Sequence, residues 1–306
     1  MFSNRSLLVS IFFAASLSGC AQVQITSMEK LTIPGSGGYY HPRLDETGTR
    51  LLLTAENYKG LSLFNLKTGE LKLITDADGA GYSPQLSGNG ETVLFTSNEF
   101  IQNRLHTRLM AYYVPTGISD QEAPPARELS TLYRSGDQVL FKADGVVKSA
   151  RIGPDVPVSP ETIATGIEDQ KLMLYINGQA KSLDPMECES YIWPSVSPDG
   201  KRILAYAMGK GAFICNPEGN LIKELGNIEA PVWAGEDFIA GMITKDDGHQ
   251  IISSEIVLVN LKTGKRQTIS PAGTLAMYPS AATEAEKIAF QSANGEIFLL
   301  SYRITP

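Results

Sequence analysis

Runs of consecutive apolar residues recur along the chain, each set at the same distance from a proline. "RLLLT" (50–54), "TVLFT" (92–96), "RILAY" (202–206) and "KIAFQ" (287–291) are apolar at neighbouring positions rather than at alternate ones. Their first apolar residues, Leu51, Val93, Ile203 and Ile288, stand nine positions after Pro42, Pro84, Pro194 and Pro279. In three of the four a glycine sits six positions after the proline: Gly48, Gly90 and Gly200. The segments open on Tyr40, Tyr82, Trp193 and Tyr278, and a shortened copy, "APVWAGEDFIAGM", starts at Ala230. A second marker, "NLKTG", occurs at Asn65–Gly69 and again at Asn260–Gly264, each time between two strand-like segments. Such self-similarity marks an array of one supersecondary unit.

Each unit predicts four antiparallel strands, A to D. Pro198-Asp199-Gly200 turns A into B: proline presets φ, aspartate bonds nearby backbone, and glycine accepts positive φ. A strand B that is apolar on successive residues must be covered on both faces. A lone four-stranded sheet cannot do this. Sheets stacked radially can, and that arrangement is a β-propeller. The opening aromatics are then expected between blades, near the inner strands, as packing residues.

"SPDGKRILA" followed by a C and a short D strand resembles the TolB-like β-propeller repeat of bacterial envelope proteins. The resemblance runs from Tyr40 to the C-terminus and is poorest between Glu128 and Glu189. It implies an all-β, six-bladed propeller and hardly constrains activity, because the fold hosts binding modules and enzymes alike. In the poor region "SGDQVLFKA" reads as a turn and strand B, "KLMLYINGQAKSLDP" as strands C and D, and "GPDVPVSPE" as a loop between them. That makes one long blade with an insertion and six blades in total; two short blades, and seven in total, are the alternative. The last unit has strands A to C but no D. "VQITSMEKLTI", which belongs to no unit, is expected to supply that strand and close the ring, leaving no free edge.

The units occupy so much of the 306 residues that a single domain, 20–306, is expected after a leader, 1–19. That leader, "MFSNRSLLVSIFFAASLSG", has a basic Arg5, an apolar run from Leu7 to Phe13 and small residues at its end, the pattern of a signal peptide. Leu17-Ser18-Gly19-Cys20 resembles the bacterial lipobox, which implies cleavage before Cys20 and acylation of its thiol. The resemblance further implies anchoring in the bacterial envelope, with Ala21 favouring the outer membrane; several acyl chains at one residue anchor far more firmly than one. The net charge is −7, and −8 once Arg5 leaves with the leader, so no nucleic-acid partner is expected. Cys188 and Cys215 remain as two buried thiols or, alternatively, as a pair in an oxidising compartment.

No G-x-S-x-G, H-E-x-x-H, Walker loop or paired C-x-x-C is present. In antiparallel blades the A–B and C–D turns share one end, and the B–C turns and D–A connectors share the other. His41 lies where a connector enters strand A, His106 in the long B–C hairpin "SNEFIQNRLHTR", and His249 in the long hairpin "TKDDGHQIISSE" with Asp246 and Asp247. Asp76, Asp78, Glu187 and Glu189 map to the same B–C face. Functional loops gather on one side of a rigid scaffold. The expectation is a monomeric, lipid-anchored module that binds an envelope protein, a small molecule or a glycan on this face, with no cofactor and no metal. One alternative is a metal-assisted lyase or hydrolase acting on an acidic glycan there; the other is that the hairpins are simply solvated and polar and the three histidines share a face by chance.

Overall fold

Leu51 and Leu53 pack in one apolar cluster with Ala282, Ala289 and Leu299, while Leu52, between them, packs in another with Leu86, Val93 and Phe95. The consecutive apolar residues of strand B therefore serve two interfaces at once, as a radial stack of sheets requires. The same split recurs for Leu94 against Val93 and Phe95, for Leu204 against Ile203 and Ala205, and for Ala289 against Ile288 and Phe290.

The computed structural model describes residues 22–35, 37–153, 163–177 and 179–305. These form seven antiparallel sheets, so the chain is an all-β, seven-bladed β-propeller. Blade 1 comprises Tyr40–Leu44, Arg50–Thr54, Leu61–Asn65 and Leu71–Thr75; blade 2 comprises Gln85–Leu86, Thr92–Ile101, Arg104–Tyr113 and Ile118–Ala126. Blades 3 and 4 have three strands each, Tyr133–Ser135, Gln138–Ala143, Val146–Arg151 and Ile163–Glu168, Lys171–Ile176, Gln179–Leu183. Blade 5 is Tyr191–Val196, Ile203–Ala207, Gly211–Cys215 and Leu221–Gly226; blade 6 is Glu229–Trp233, Phe238–Asp246, Ile251–Asn260 and Arg266–Thr268. Blade 7 takes Ala276–Ala282, Lys287–Ser292 and Ile297–Thr305 from the C-terminus and its outer strand, Gln22–Lys30, from the N-terminus. Gln22 pairs with Thr305 and Lys30 with Phe298, which is the closure the unmatched N-terminal segment predicted.

The expectation of six blades is corrected to seven. The stretch taken as one long blade is two sheets, and "KLMLYINGQAKSLDP" supplies strands B and C of blade 4 rather than C and D. Its strand A, Ile163–Glu168, carries no proline marker and only one apolar cluster residue that is fully buried, Ala164. Most of "GPDVPVSPE" lies outside the described residues.

Seven apolar clusters each join two consecutive blades around the ring. The one between blades 3 and 4 has three fully buried members, Leu140, Ala164 and Tyr175. Polar bonds reinforce it: Tyr133 Oη donates to Ile167 O (2.8 Å), Tyr175 Oη to Glu168 Oε1 (2.6 Å), and Lys142 Nζ to Glu168 Oε2 (3.2 Å).

The repeated turns are chemically repeated too. Gly200 has φ of +74°, and Ser197 Oγ accepts from Arg202 N at 2.9 Å; in blade 2 Ser87 Oγ accepts from Thr92 N at 2.9 Å. In both "NLKTG" turns the asparagine Oδ1 accepts from the two following loop amides, Lys67 and Thr68 in one, Lys262 and Thr263 in the other. Cys188 and Cys215 are free thiols in one cluster, and burial pushes the Cys215 thiol up to about 12.

Candidate functional site at the channel mouth

Strand A lines the axis of the ring, and in five blades it carries the same irregularity. The residue before the proline is left-handed: His41 (φ 49°), Ser83 (51°), Trp193 (53°), Ala230 (44°) and Tyr278 (50°). In blades 1, 5, 6 and 7 the ladder register shifts across this residue, as in a β-bulge. A bulge re-aims a side chain out of the strand's alternation. A left-handed backbone is costly for a residue with a Cβ, and such strain concentrates at functional positions. Here it sits where each connector enters strand A, on the B–C face.

Three blades thereby bring aromatic rings together. His41 stacks on Tyr58 (centroids 4.5 Å, planes 19° apart) and lies 4.7 Å from Tyr278 of blade 7; Tyr58 meets Tyr82 edge-on at 5.5 Å. Trp193 of blade 5 meets Tyr206 edge-on at 5.6 Å. Trp193 and Tyr278 are partly buried against the cluster of blades 6 and 7, as the packing reading anticipates. Tyr82 departs from it: 55% of its surface is exposed, because it precedes the two-residue strand Gln85–Leu86 and stands outside the sheet.

The stack is held from behind. Tyr58 ends a single turn, Glu56–Tyr58, and is itself left-handed, at φ 58°. Gly60 N donates to Ala77 O and Gly81 N to Tyr58 O, both at 2.9 Å, so the connector clasps the B–C turn. Gly81 is needed there, since a Cβ would collide with the Thr54 side chain. His41 N donates to Oε1 of the buried Gln291 (2.5 Å), tying the blade 1 bulge to blade 7. Burial, and secondarily the charge of Arg43, hold the His41 pKa down to about 4, so its ring is neutral at neutral pH.

The other expected site residues share the face but not the stack. His106 lies on the blade 2 hairpin, opposite Glu99, and its Nδ1 is 2.9 Å from Arg104 O. Asp246, Asp247 and His249 cap the exposed tip of the blade 6 hairpin. There Asp247 Oδ1 accepts from the amides of His249 and Gln250, both at 2.9 Å, and these bonds lower its pKa. The blade 2 hairpin is a continuous ladder from Thr92↔Tyr113 to Ile101↔Arg104, and the blade 6 hairpin runs from Phe238↔Asn260 to Lys245↔Ser253 before its register shifts at Asp246↔Ile251. Asp78 faces Lys59 at 3.9 Å with both side chains largely in solvent, and Glu187 O accepts from Lys210 Nζ at 3.1 Å. Among the described residues, no three His, Cys, Asp or Glu side chains converge in a way that could hold a metal ion. A cavity of about 460 Å³ lies at the opposite, A–B end, between blades 2 and 3, lined by Glu91, Tyr113, Ile118 and Asp120 among others.

Sequence reasoning placed His41 on this face and missed its neighbours Tyr58 and Arg43. One signal was available: the column before the proline holds His41, Trp193 and Tyr278, three rings in five units.

No protein-family model matches the chain, and no curated protein is similar to it in sequence. Among solved structures, the β-propeller domain of Cps50 (Swd1) from Myceliophteria thermophila is 10% identical with a TM-score of 0.58, over 92% of this chain and 99% of that one. The β-propeller domain of the Trilobed protease from Pyrococcus furiosus, which has an open velcro topology, is 13% identical with a TM-score of 0.54, over 87% and 97%. An oligogalacturonate lyase from Vibrio parahaemolyticus, 13% identical over 88% and 79%, has a TM-score of 0.47, too loose a match to bear on activity. At these identities the likeness shows the propeller fold alone.

Proposed function

We propose that this chain is a lipid-anchored bacterial envelope protein of the TolB-like kind, whose B–C face binds a protein or ligand without covalent chemistry. The observation that carries the binding reading is the convergence on one face of five left-handed pre-proline residues, an aromatic stack and two extended hairpins. Ala230, Trp193 and Tyr278 also pack in the core of blades 6 and 7, but Tyr58 and Tyr82 leave ring surface open on this face, where the backbone strain collects.

The lipobox supports the anchor; Cys20 itself lies outside the described residues. Gln22 pairs with Thr305, at the A–B end of blade 7. An acylated Cys20 two residues earlier would hold that end near the membrane and present the B–C face away from it. Cys20→Ser is expected to leave a form that takes up no fatty acid; continued labelling by a fatty-acid probe would refute the anchor.

The binding reading is tested at the blade 6 tip. Replacing Asp246, Asp247 and His249 together by alanine removes side chains that bond only within the tip, so the melting curve should hold while cross-linked partners in intact cells are lost. Unchanged cross-linking in a folded variant sinks the role of this hairpin. A stoichiometric divalent ion in the purified protein would favour enzyme chemistry instead.

A further inference from the structure

We propose that the channel mouth on the B–C face binds a small carboxylate with a flat apolar side, the carboxylate pairing with Arg43 and the flat side covering Tyr58 and Tyr82. This rests on the reading of that face as a binding surface and names the ligand chemistry at its centre.

The starting point is a cation with no partner. Arg43 lies on the innermost strand of blade 1, one residue past the bulge proline, and some of its surface remains open to solvent. Protein surrounds it closely enough to push its guanidinium pKa below the ordinary value. Yet among the described residues nothing gives its side chain a hydrogen bond or an ion pair. Its electrostatic neighbours are His41 and Tyr58, and neither is a carboxylate.

The matching positions in other blades are uncharged: Val232 is apolar, Ser195 Oγ is buried with no hydrogen-bond partner, and three others show how a polar side chain is used there. Arg43 pairs with Leu52, as Gln85 does with Leu94, Tyr133 with Leu140 and Ser280 with Ala289. Each of those three counterparts spends its side chain on the next blade. Gln85 Nε2 donates to Leu132 O (3.0 Å), Tyr133 Oη donates to Ile167 O (2.8 Å), and Ser280 Oγ accepts from Leu44 N (2.9 Å). Arg43 makes no such bond. A desolvated charge left unpaired is a liability to the fold, and an arriving anion removes it.

The chemistry of the anion follows from the surroundings. One guanidinium fork matches one carboxylate through two parallel hydrogen bonds. Glu229 opens the inner strand of blade 6 on the same face, and its charge, which raises the pKa values of Tyr206 and Tyr278, disfavours a phosphate dianion more than a monoanion. Tyr58, an electrostatic neighbour of Arg43, and Tyr82, edge-on to Tyr58, are 36% and 55% exposed and offer ring surface to a flat body.

Benzoate combines both features, with benzyl alcohol and inorganic phosphate as controls, titrated calorimetrically into the intact protein. Benzoate is expected to bind at one site, and neither control to match it. Arg43→Met should weaken benzoate about tenfold or more while melting no lower than wild type, because it removes an unpaired, half-buried cation. Gly81→Ala, which keeps Arg43 and displaces the Tyr58 turn, should also weaken it. Absence of benzoate binding, binding undiminished in Arg43→Met, phosphate binding as tightly as benzoate, or a lower melting temperature for Arg43→Met would each overturn the proposal. If benzoate fails while the blade 6 tip still captures its partner, this inference falls and the binding-face reading stands. If both fail, both fall.

Discussion

A chain starting at Gly35 is expected to lose its monomeric fold, whereas one starting at Gln22 keeps it. The outer strand of blade 7 is made by Gln22–Lys30, paired along its length with Ile297–Thr305. Its inward side chains Val23, Ile25 and Met28 cover the cluster shared by blades 6 and 7, and the following Leu31 and Ile33 cover that of blades 7 and 1. Full burial of such a side chain is worth about 1.5–3 kcal/mol. These five are half-buried, so their removal forfeits roughly 4–8 kcal/mol, comparable with the whole stability of an ordinary domain, about 5–15 kcal/mol. Truncation also strips Ile297–Thr305 of its partner and exposes a nine-residue edge, a template for pairing with another chain. Size-exclusion and thermal melting separate the outcomes. Equal melting and monomeric elution of both chains would show that the ring does not depend on this strand.

What the sequence made legible were the features that each unit repeats within a few residues. The Gly200 turn, the paired "NLKTG" turns and the two-faced strand B are local, and the structure holds each where the repeat predicted it. Blades 3 and 4 escaped because their interface is held by other means. Gly166 admits the Tyr133 ring, and Tyr133 bonds both Ile167 N and Ile167 O, so strand A there needs neither proline nor an apolar run. The stack at the channel mouth escaped for a different reason. His41 and Tyr278 belong to blades that become neighbours only when the ring closes, and Tyr58 owes its position to a glycine in a connector. Long-range contact of this kind leaves no periodic trace.

Acid should destabilise the ring first at His41. Its pKa lies near 4, below the ordinary 6.5, so the unfolded chain takes up this proton more readily than the folded one. The associated stability is complete above about pH 6.5 and is lost as pH falls from there through about 4. The gap corresponds to roughly 3 kcal/mol, and water at the partly open mouth lowers it to about 1–3 kcal/mol. The groups around the ring explain the direction: Tyr58 and Tyr278 bury it, and Arg43 on its own strand repels a second positive charge. Glu168, held below the ordinary carboxylate range by Tyr175 and Lys142, adds a loss of the same sign at lower pH, when its carboxylate is protonated between blades 3 and 4. His41→Phe isolates the imidazole. Trp193 and Tyr278 already place aromatic rings on the same left-handed backbone, so phenylalanine fits the site, while every carboxylate titrates as before. Between about pH 7 and about pH 4.5 the wild type should therefore lose more melting temperature than His41→Phe. Parallel curves would mean that the His41 ring takes its proton as readily folded as unfolded, and that the mouth is open enough for water to solvate it.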